Sequence, residues 1–187
     1  MAKNRLPSKE VLTQMLSYDR ETGNLHWLHR PVDMFANSAH SAAQTCAKWN
    51  SRMAGKPALN SKHGAGYRHG AIFGVDALAH RVAWKIETGE EPDQIDHIDG
   101  DRANNRFSNL RGVSSLENNR NAARHVDNIS GHTGVRETKS GKWQAYITVD
   151  YREVMLGTYI EIDDAMAVRK DAERKYGFHE NHGRVAV

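Results

Sequence analysis

Cysteine is nearly absent: the 187 residues hold one, Cys46. That excludes an internal disulfide and a Cys₄ or Cys₂His₂ zinc site built by a single chain, leaving packing and hydrogen bonds to supply stability. No apolar run approaches the roughly 18 residues of a membrane-spanning helix, and the first residues, Met-Ala-Lys-Asn-Arg-Leu-Pro-Ser, lack the apolar core of a signal peptide. We therefore expect a soluble, cytoplasmic protein with no membrane partner. Internal repeats are absent too. What is present is polar: 39% hydrophobic and 26% charged residues, a mean hydropathy of −0.73 and a net charge of +3 with a pI near 9.0. Such a balance permits an anionic partner without demanding one. The length suits one ordinary domain or two to three small modules.

Hydrophobic spacing predicts the elements. Ser8 is a natural N-cap for a short helix bearing Val11, Leu12, Met15 and Leu16 on one face, followed by a strand around Leu25–Leu28. The Ala-rich stretch 37–53 reads as a helix with Ala39, Ala42, Ala43, Cys46 and Ala47 inward. A strand over 67–73, a Gly-Val-Asp turn and a helix over about 77–87 follow, with Leu78, Val82 and Ile86 on one stripe and Gly89 and Pro92 at its end. Past a polar linker at 123–130, three short strands have turn signals at Ser140-Gly141 and Asp150-Tyr151. Trp143, Ala145, Ile147 and Val149 alternate onto one face, and a helix capped by Asp163 carries Ala165, Val168, Ala172 and Tyr176.

The run "IDHIDGDRANNRFSNLRGVSSLENNRN", residues 95–121, gathers six Asn, three Asp and one His with little to build a core. Between Arg102 and Arg124 it is also basic, with Arg102, Arg106, Arg111, Arg120 and Arg124 against one acid, Glu117. A calcium loop fails: with Gly100 at the sixth position of an EF-hand, Ile95, His97 and Arg106 fall at positions one, three and twelve, where oxygen ligands belong. Asn and Asp as simple turn formers account for part of the run, but not for an Asp beside a His with amides downstream. A phosphodiester-hydrolysing site accounts for more. That chemistry needs a hard cation, a base for water and cationic groups for the backbone. Asp96 offers a hard oxygen, and His97 a base whose ordinary pKa leaves it largely neutral at pH 7.

The same run resembles the ββα-metal motif of HNH endonucleases, in particular the phage and intron-encoded homing type in which the last histidine is an asparagine. The likeness extends upstream through "AHRVAWKIETGEEP" and covers about residues 67–121. It implies His97 as general base, Asp96 as first metal ligand, Asn109 as the residue holding loop and base, and Asn118 as second ligand on a helix starting near Ser114 or Ser115. Asn119 and Asn121 are alternatives for that ligand. It also implies one Mg²⁺ or Mn²⁺ ion per site, double-stranded DNA as substrate and Arg102, Arg106, Arg111 and Arg120 near the phosphates. His80 recurs in the pattern, but a lone helical His is more often a packing residue, and it is not assigned to catalysis.

Residues 131–179, through "GVR", "GKW", "LGTY" and the Ala-bearing helix, are similar to the Apetala-type DNA-binding domain of ethylene-response factors, which also accompanies phage HNH homing enzymes. The resemblance implies Arg136, Lys142 and Arg152 at DNA, with Trp143 either at the backbone or in the core. Thr138 stands where the plant domains have a second arginine, so base preference does not transfer. The nine basic and nine acidic residues of 131–187 make the helix a scaffold.

The expected fold is α+β: an N-terminal helix/strand region (1–60) for support or DNA contact, an HNH module (61–122), a linker (123–130), a three-stranded antiparallel sheet on one helix (131–179) and a tail (180–187). The leading functional reading is a homing-type DNA endonuclease, monomeric or homodimeric, acting in the host cytoplasm if phage-encoded. A DNA-binding regulator with a decayed nuclease module and a nonspecific nuclease are the alternatives.

Overall fold

The computed structural model describes residues 5–36, 41–114, 118, 127–180 and 182–183. They fall into two compact units, Met1–His97 with Asp101–Gly112, and Ile98–Gly100 with Val113–Val187. Helices and several small sheets make the fold mixed α and β.

In the first unit, Ser8 caps α1 (Lys9–Met15), its hydroxyl accepting from the Val11 N–H at 3.4 Å. The helix stops one residue earlier than its apolar spacing predicts, because Leu16 is already extended and opens β1 (Leu16–Tyr18). This strand pairs antiparallel with β2 (Leu25–Trp27). Their connection is tied by Asp19: its carbonyl accepts from Gly23 N–H at 2.8 Å, and its Oδ1 accepts from Glu21 and Thr22 N–H at 2.9 and 3.2 Å. Hydrogen bonds from Thr22 and Glu21 hold the Asp19 carboxyl below the usual carboxylate range.

A short 3₁₀ turn (Val32–Phe35) leads to α2 (Ala42–Met53). Its buried positions are Cys46 and Asn50, with Trp49 and Met53 packed on the main core, while the predicted inward residues Ala43 and Ala47 are exposed. Small side chains gave no strong stripe, and the aromatic and the amide decide the facing. Asn50 is held by donating to the Arg30 carbonyl and accepting from the Arg30 N–H, both at 2.9 Å.

Strands β3 (Ser61–Lys62), β4 (Arg68–Ile72) and β5 (Val75–Leu78) form an antiparallel sheet in that order. The β4–β5 turn lies at Phe73-Gly74, both with positive φ (51° and 79°), so Val75 and Asp76 belong to the strand rather than to the turn read from sequence. Helix α3 (Ala79–Thr88) starts two residues later than predicted for the same reason, and Gly89 closes it in the left-handed conformation, φ 81°. Leu12, Met15, Leu16, Leu25, Trp27, Ile72, Val82 and Ile86 make the main core of this unit.

The two-stranded sheet of β6 (Gln94–His97) and β7 (Leu110–Val113) comes last. A 3₁₀ turn, Phe107–Asn109, leads into β7. Ile95 and Leu110 bury against Ala83, Tyr18 and Trp84, which docks this pair on α3 and on β1.

In the second unit, β8 (Val135–Glu137), β9 (Trp143–Val149) and β10 (Arg152–Tyr159) form an antiparallel sheet in the order β10-β9-β8. Helix α4 (Ile162–Lys175) packs on it around Val135, Ala145 and Ala165, with Trp143, Leu156 and Met166 against them. The N-cap of α4 is Glu161, without a side-chain cap bond; Asp163, predicted as the cap, lies in the first turn. Gly134 has φ 73° and a Cβ there would run into the Arg169 side chain and the Tyr146 carbonyl. Arg169 is itself buried and paired with Glu173 at 3.0 Å, so this glycine lets a charged pair pack under the sheet.

Candidate functional site

Strand β6 ends in Asp96 and His97, and its neighbours fix both. Ile95 is anchored in the small core. Asp96 and His97 are 8% and 4% exposed, so two chemically active groups sit out of bulk water at one strand end. Strand β7 lies alongside and supplies Arg111, whose Nε and Nη2 donate to the same Asp96 oxygen, Oδ2, at 2.9 and 2.7 Å. A carboxylate this buried requires such a partner.

His97 Nε2 lies 3.3 Å from Asn105 Oδ1. An amide oxygen only accepts, so this contact is a hydrogen bond in the tautomer that carries the imidazole proton on Nε2. The His97 ring packs against His80 (5.1 Å between centroids) and Tyr67 (5.9 Å). The His80 ring also lies near Tyr67 at 4.9 Å, and Arg102 lies over the Tyr67 ring at 5.1 Å. His80 is 4% exposed and its Nδ1 finds no hydrogen-bond partner among the described residues. Burial first, then the neighbouring His97 and Arg81, depress its pKa to about 3, so it is a neutral wall at physiological pH.

The loop between the strands is held from both sides. Asn109 Nδ2 donates to the Asn104 carbonyl at 2.9 Å, and Asp101 Oδ1 accepts from Ala103 N–H at 2.9 Å. On the other side, Tyr18 Oη donates to the Asn105 carbonyl at 2.7 Å, Phe107 N–H to the Arg20 carbonyl at 3.0 Å, and Arg106 Nε to the Glu21 carbonyl at 2.9 Å. Burial pushes the Tyr18 phenol far up, so it stays a donor.

Of the predicted set, the structure thus joins Asp96 to Arg111 beside His97 and ties Asn109 to the loop at Asn104. Arg102, Arg106 and Arg111 each have a partner within the first unit. Asn118 belongs to the second unit, where its N–H donates to the Ser114 carbonyl at 3.0 Å, the bond of a helical turn. Arg120, Asn119 and Asn121 and the rest of the predicted helix lie outside the described residues. In the second unit Arg136 donates to Gln144 and Glu153 at 2.8 and 2.9 Å and lies over Tyr146. Lys142 and Arg152 are exposed, and Trp143 packs half-buried against the core.

Sequence reasoning missed three participants: Asn105, Tyr18 and Tyr67. The Asn104-Asn105 doublet was a signal for the first. The other two reach the site only through tertiary pairing.

No three His, Cys, Asp or Glu side chains among the described residues converge as metal ligands. The donor present is one carboxylate, a hard oxygen ligand. A carboxylate is a donor suited to a hard divalent cation that keeps part of its shell as water.

Residues 77–120, from the end of β5 through α3, β6 and β7, match the sequence model of the HNH endonuclease family. The match supports a nuclease, a hydrolase acting on DNA. No curated protein and no solved structure matches the chain. No described helix is long and apolar enough to cross a membrane.

Proposed function

We propose that the chain is a divalent-metal-dependent DNA endonuclease of the homing type, carried by a phage or mobile element. The observation that carries this reading is the buried Asp96-His97 pair, with His97 Nε2 3.3 Å from Asn105 Oδ1, inside the segment that matches the HNH endonuclease family. His97 Nδ1 takes the proton of the attacking water. Asn109 and Asn105 keep the ring in place while it does so. Asp96 is the ligand for Mg²⁺ or Mn²⁺, with Asn118 the second ligand that the resemblance implies. When bound, the ion supplies charge neutralisation at the phosphate and the leaving 3′-oxygen. Arg111 balances the Asp96 charge until then. The sheet-and-helix module at 131–179 adds DNA recognition, with Arg136, Lys142 and Arg152 as its contacts, and Trp143 serves chiefly as its core.

The test is conversion of supercoiled plasmid and phage-derived DNA by the purified protein with Mg²⁺, Mn²⁺ or EDTA. Metal-dependent nicks or breaks at a few fixed sites are expected. Random degradation would point to a nonspecific nuclease. Tight binding with no cleavage under any metal would make the chain a DNA-binding regulator instead.

A further inference from the structure

The first 30 residues contain no motif, yet their hairpin is built against the loop that touches His97. Asn105 is the junction. Its side chain meets His97 Nε2 at 3.3 Å, while its carbonyl accepts from Tyr18 Oη at 2.7 Å, across 87 positions of sequence. Next to that bond, Gly23 adopts φ 77° against the same peptide: a Cβ there would stand 2.5 Å from the Asn105 carbonyl carbon and 2.6 Å from Arg106 N. Only glycine combines that conformation with that approach. A backbone bond from Phe107 N–H to the Arg20 carbonyl and a side-chain bond from Arg106 Nε to the Glu21 carbonyl fasten the loop further. The hairpin connection is stiffened in turn by Asp19, whose carboxylate accepts two of its N–H groups. Three hydrogen bonds and a tight contact thus join this hairpin to the loop that carries Asn105.

We infer that the β1–β2 hairpin is a positioning element for the general base, with Tyr18 acting through Asn105 to hold the His97 ring in place. Tyr18 and Asn105 are positioning residues: neither reaches the reacting atoms, and both bear on where the ring points. The inference rests on the nuclease reading for its consequence in catalysis, and on the hydrogen-bond chain alone for its consequence in the imidazole.

Two readouts on the full-length chain separate these. The first is the ¹⁵N–¹H imidazole correlation spectrum in EDTA, which reports the His97 tautomer without any need for activity. Wild type should show the Nε2–H form. Asn105→Ala should give a tautomer mixture, Tyr18→Phe a partial shift toward it, and Asn105→Asp, which keeps an accepting oxygen, the wild-type form. The second is plasmid nicking with Mg²⁺. Misplacement of a reacting group by about 1 Å costs on the order of 100-fold, so kcat should fall about 100-fold in Asn105→Ala and about 10-fold in Tyr18→Phe, with KM unchanged. The double variant should be no slower than Asn105→Ala alone, since Tyr18 works only through that residue. Tyr18→Phe keeps the buried ring, and a thermal melt close to wild type checks its fold.

Wild-type His97 signals in both Tyr18→Phe and Asn105→Ala would overturn the inference, as would losses that multiply in the double variant or appear in KM alone. If the wild type cuts no DNA while the spectra shift as expected, the nuclease reading fails and the hairpin's hold on His97 stands.

Discussion

As the proposed base, His97 has to be held in place, and its neighbours do so in two ways. Asn105 orients it by a bond, whereas His80 and Tyr67 wall it off. Removing the imidazole should therefore remove chemistry and spare association: His97→Ala should lower the nicking rate by about 10²–10⁴-fold, with DNA affinity in a gel-shift assay unchanged. Equal loss of both would assign the residue to folding or binding. His80 makes a separate prediction about pH. Its folded pKa, about 3, lies below the ordinary 6.5, so between those values the unfolded chain binds more protons and stability rises with pH. Its contribution is complete above about 6.5 and is lost as pH falls toward 3. The denaturation midpoint of the wild type should drop through that window, and His80→Phe, which cannot titrate, should flatten the slope.

At the level of elements, the sequence disclosed what periodicity and local chemistry encode. Ser8 capped α1 as its hydroxyl predicts, and Gly89 ended α3 as its lack of a Cβ allows. The β8–β10 pattern and its helix also formed where alternation placed them. The errors have physical causes. Leu16 fits a helical stripe and a strand equally well, and only pairing with Trp27 decides between them. Gly74 made a turn that began one residue earlier, at Phe73, because a positive φ at a non-glycine residue is invisible to composition. Among the candidate site residues, Asp96, His97 and Asn109 stand out in the sequence because they are close together and chemically distinctive. Tyr18 and Tyr67 were not, because a lone tyrosine carries no local sign of its distant partner. Trp143 tests the element-level reading of the second unit. Packed against Val135, Ala145 and Ala165, its truncation to Ala should destabilise that sheet by about 3 kcal/mol, read by denaturant unfolding. A fully stable variant with weakened DNA binding would place it at the DNA instead.

Over the whole molecule, each unit has a core of its own: the first around Leu12, Met15 and Val82, the second around Val135, Ala145 and Ala165. Deleting residues 131–187 should accordingly leave the first unit folded, with the far-ultraviolet circular dichroism of its helices retained. DNA affinity should fall, or site choice relax, and the slope of log affinity against log salt should become shallower as phosphate contacts are lost. Collapse of the remaining unit would mean that the two share stabilising contacts.

The reach of Tyr18 and Gly23 across more than 80 positions also bears on modularity. The matched segment, residues 77–120, holds Asp96, His97 and Asn109 but not the hairpin against which its loop is seated. Transplanted alone into another scaffold, that cassette would keep the recognisable letters and lose the surface that shapes them. The unit a protein engineer would have to move, and the unit that recombination would have to exchange intact, begins near Ser8 rather than at Ala77.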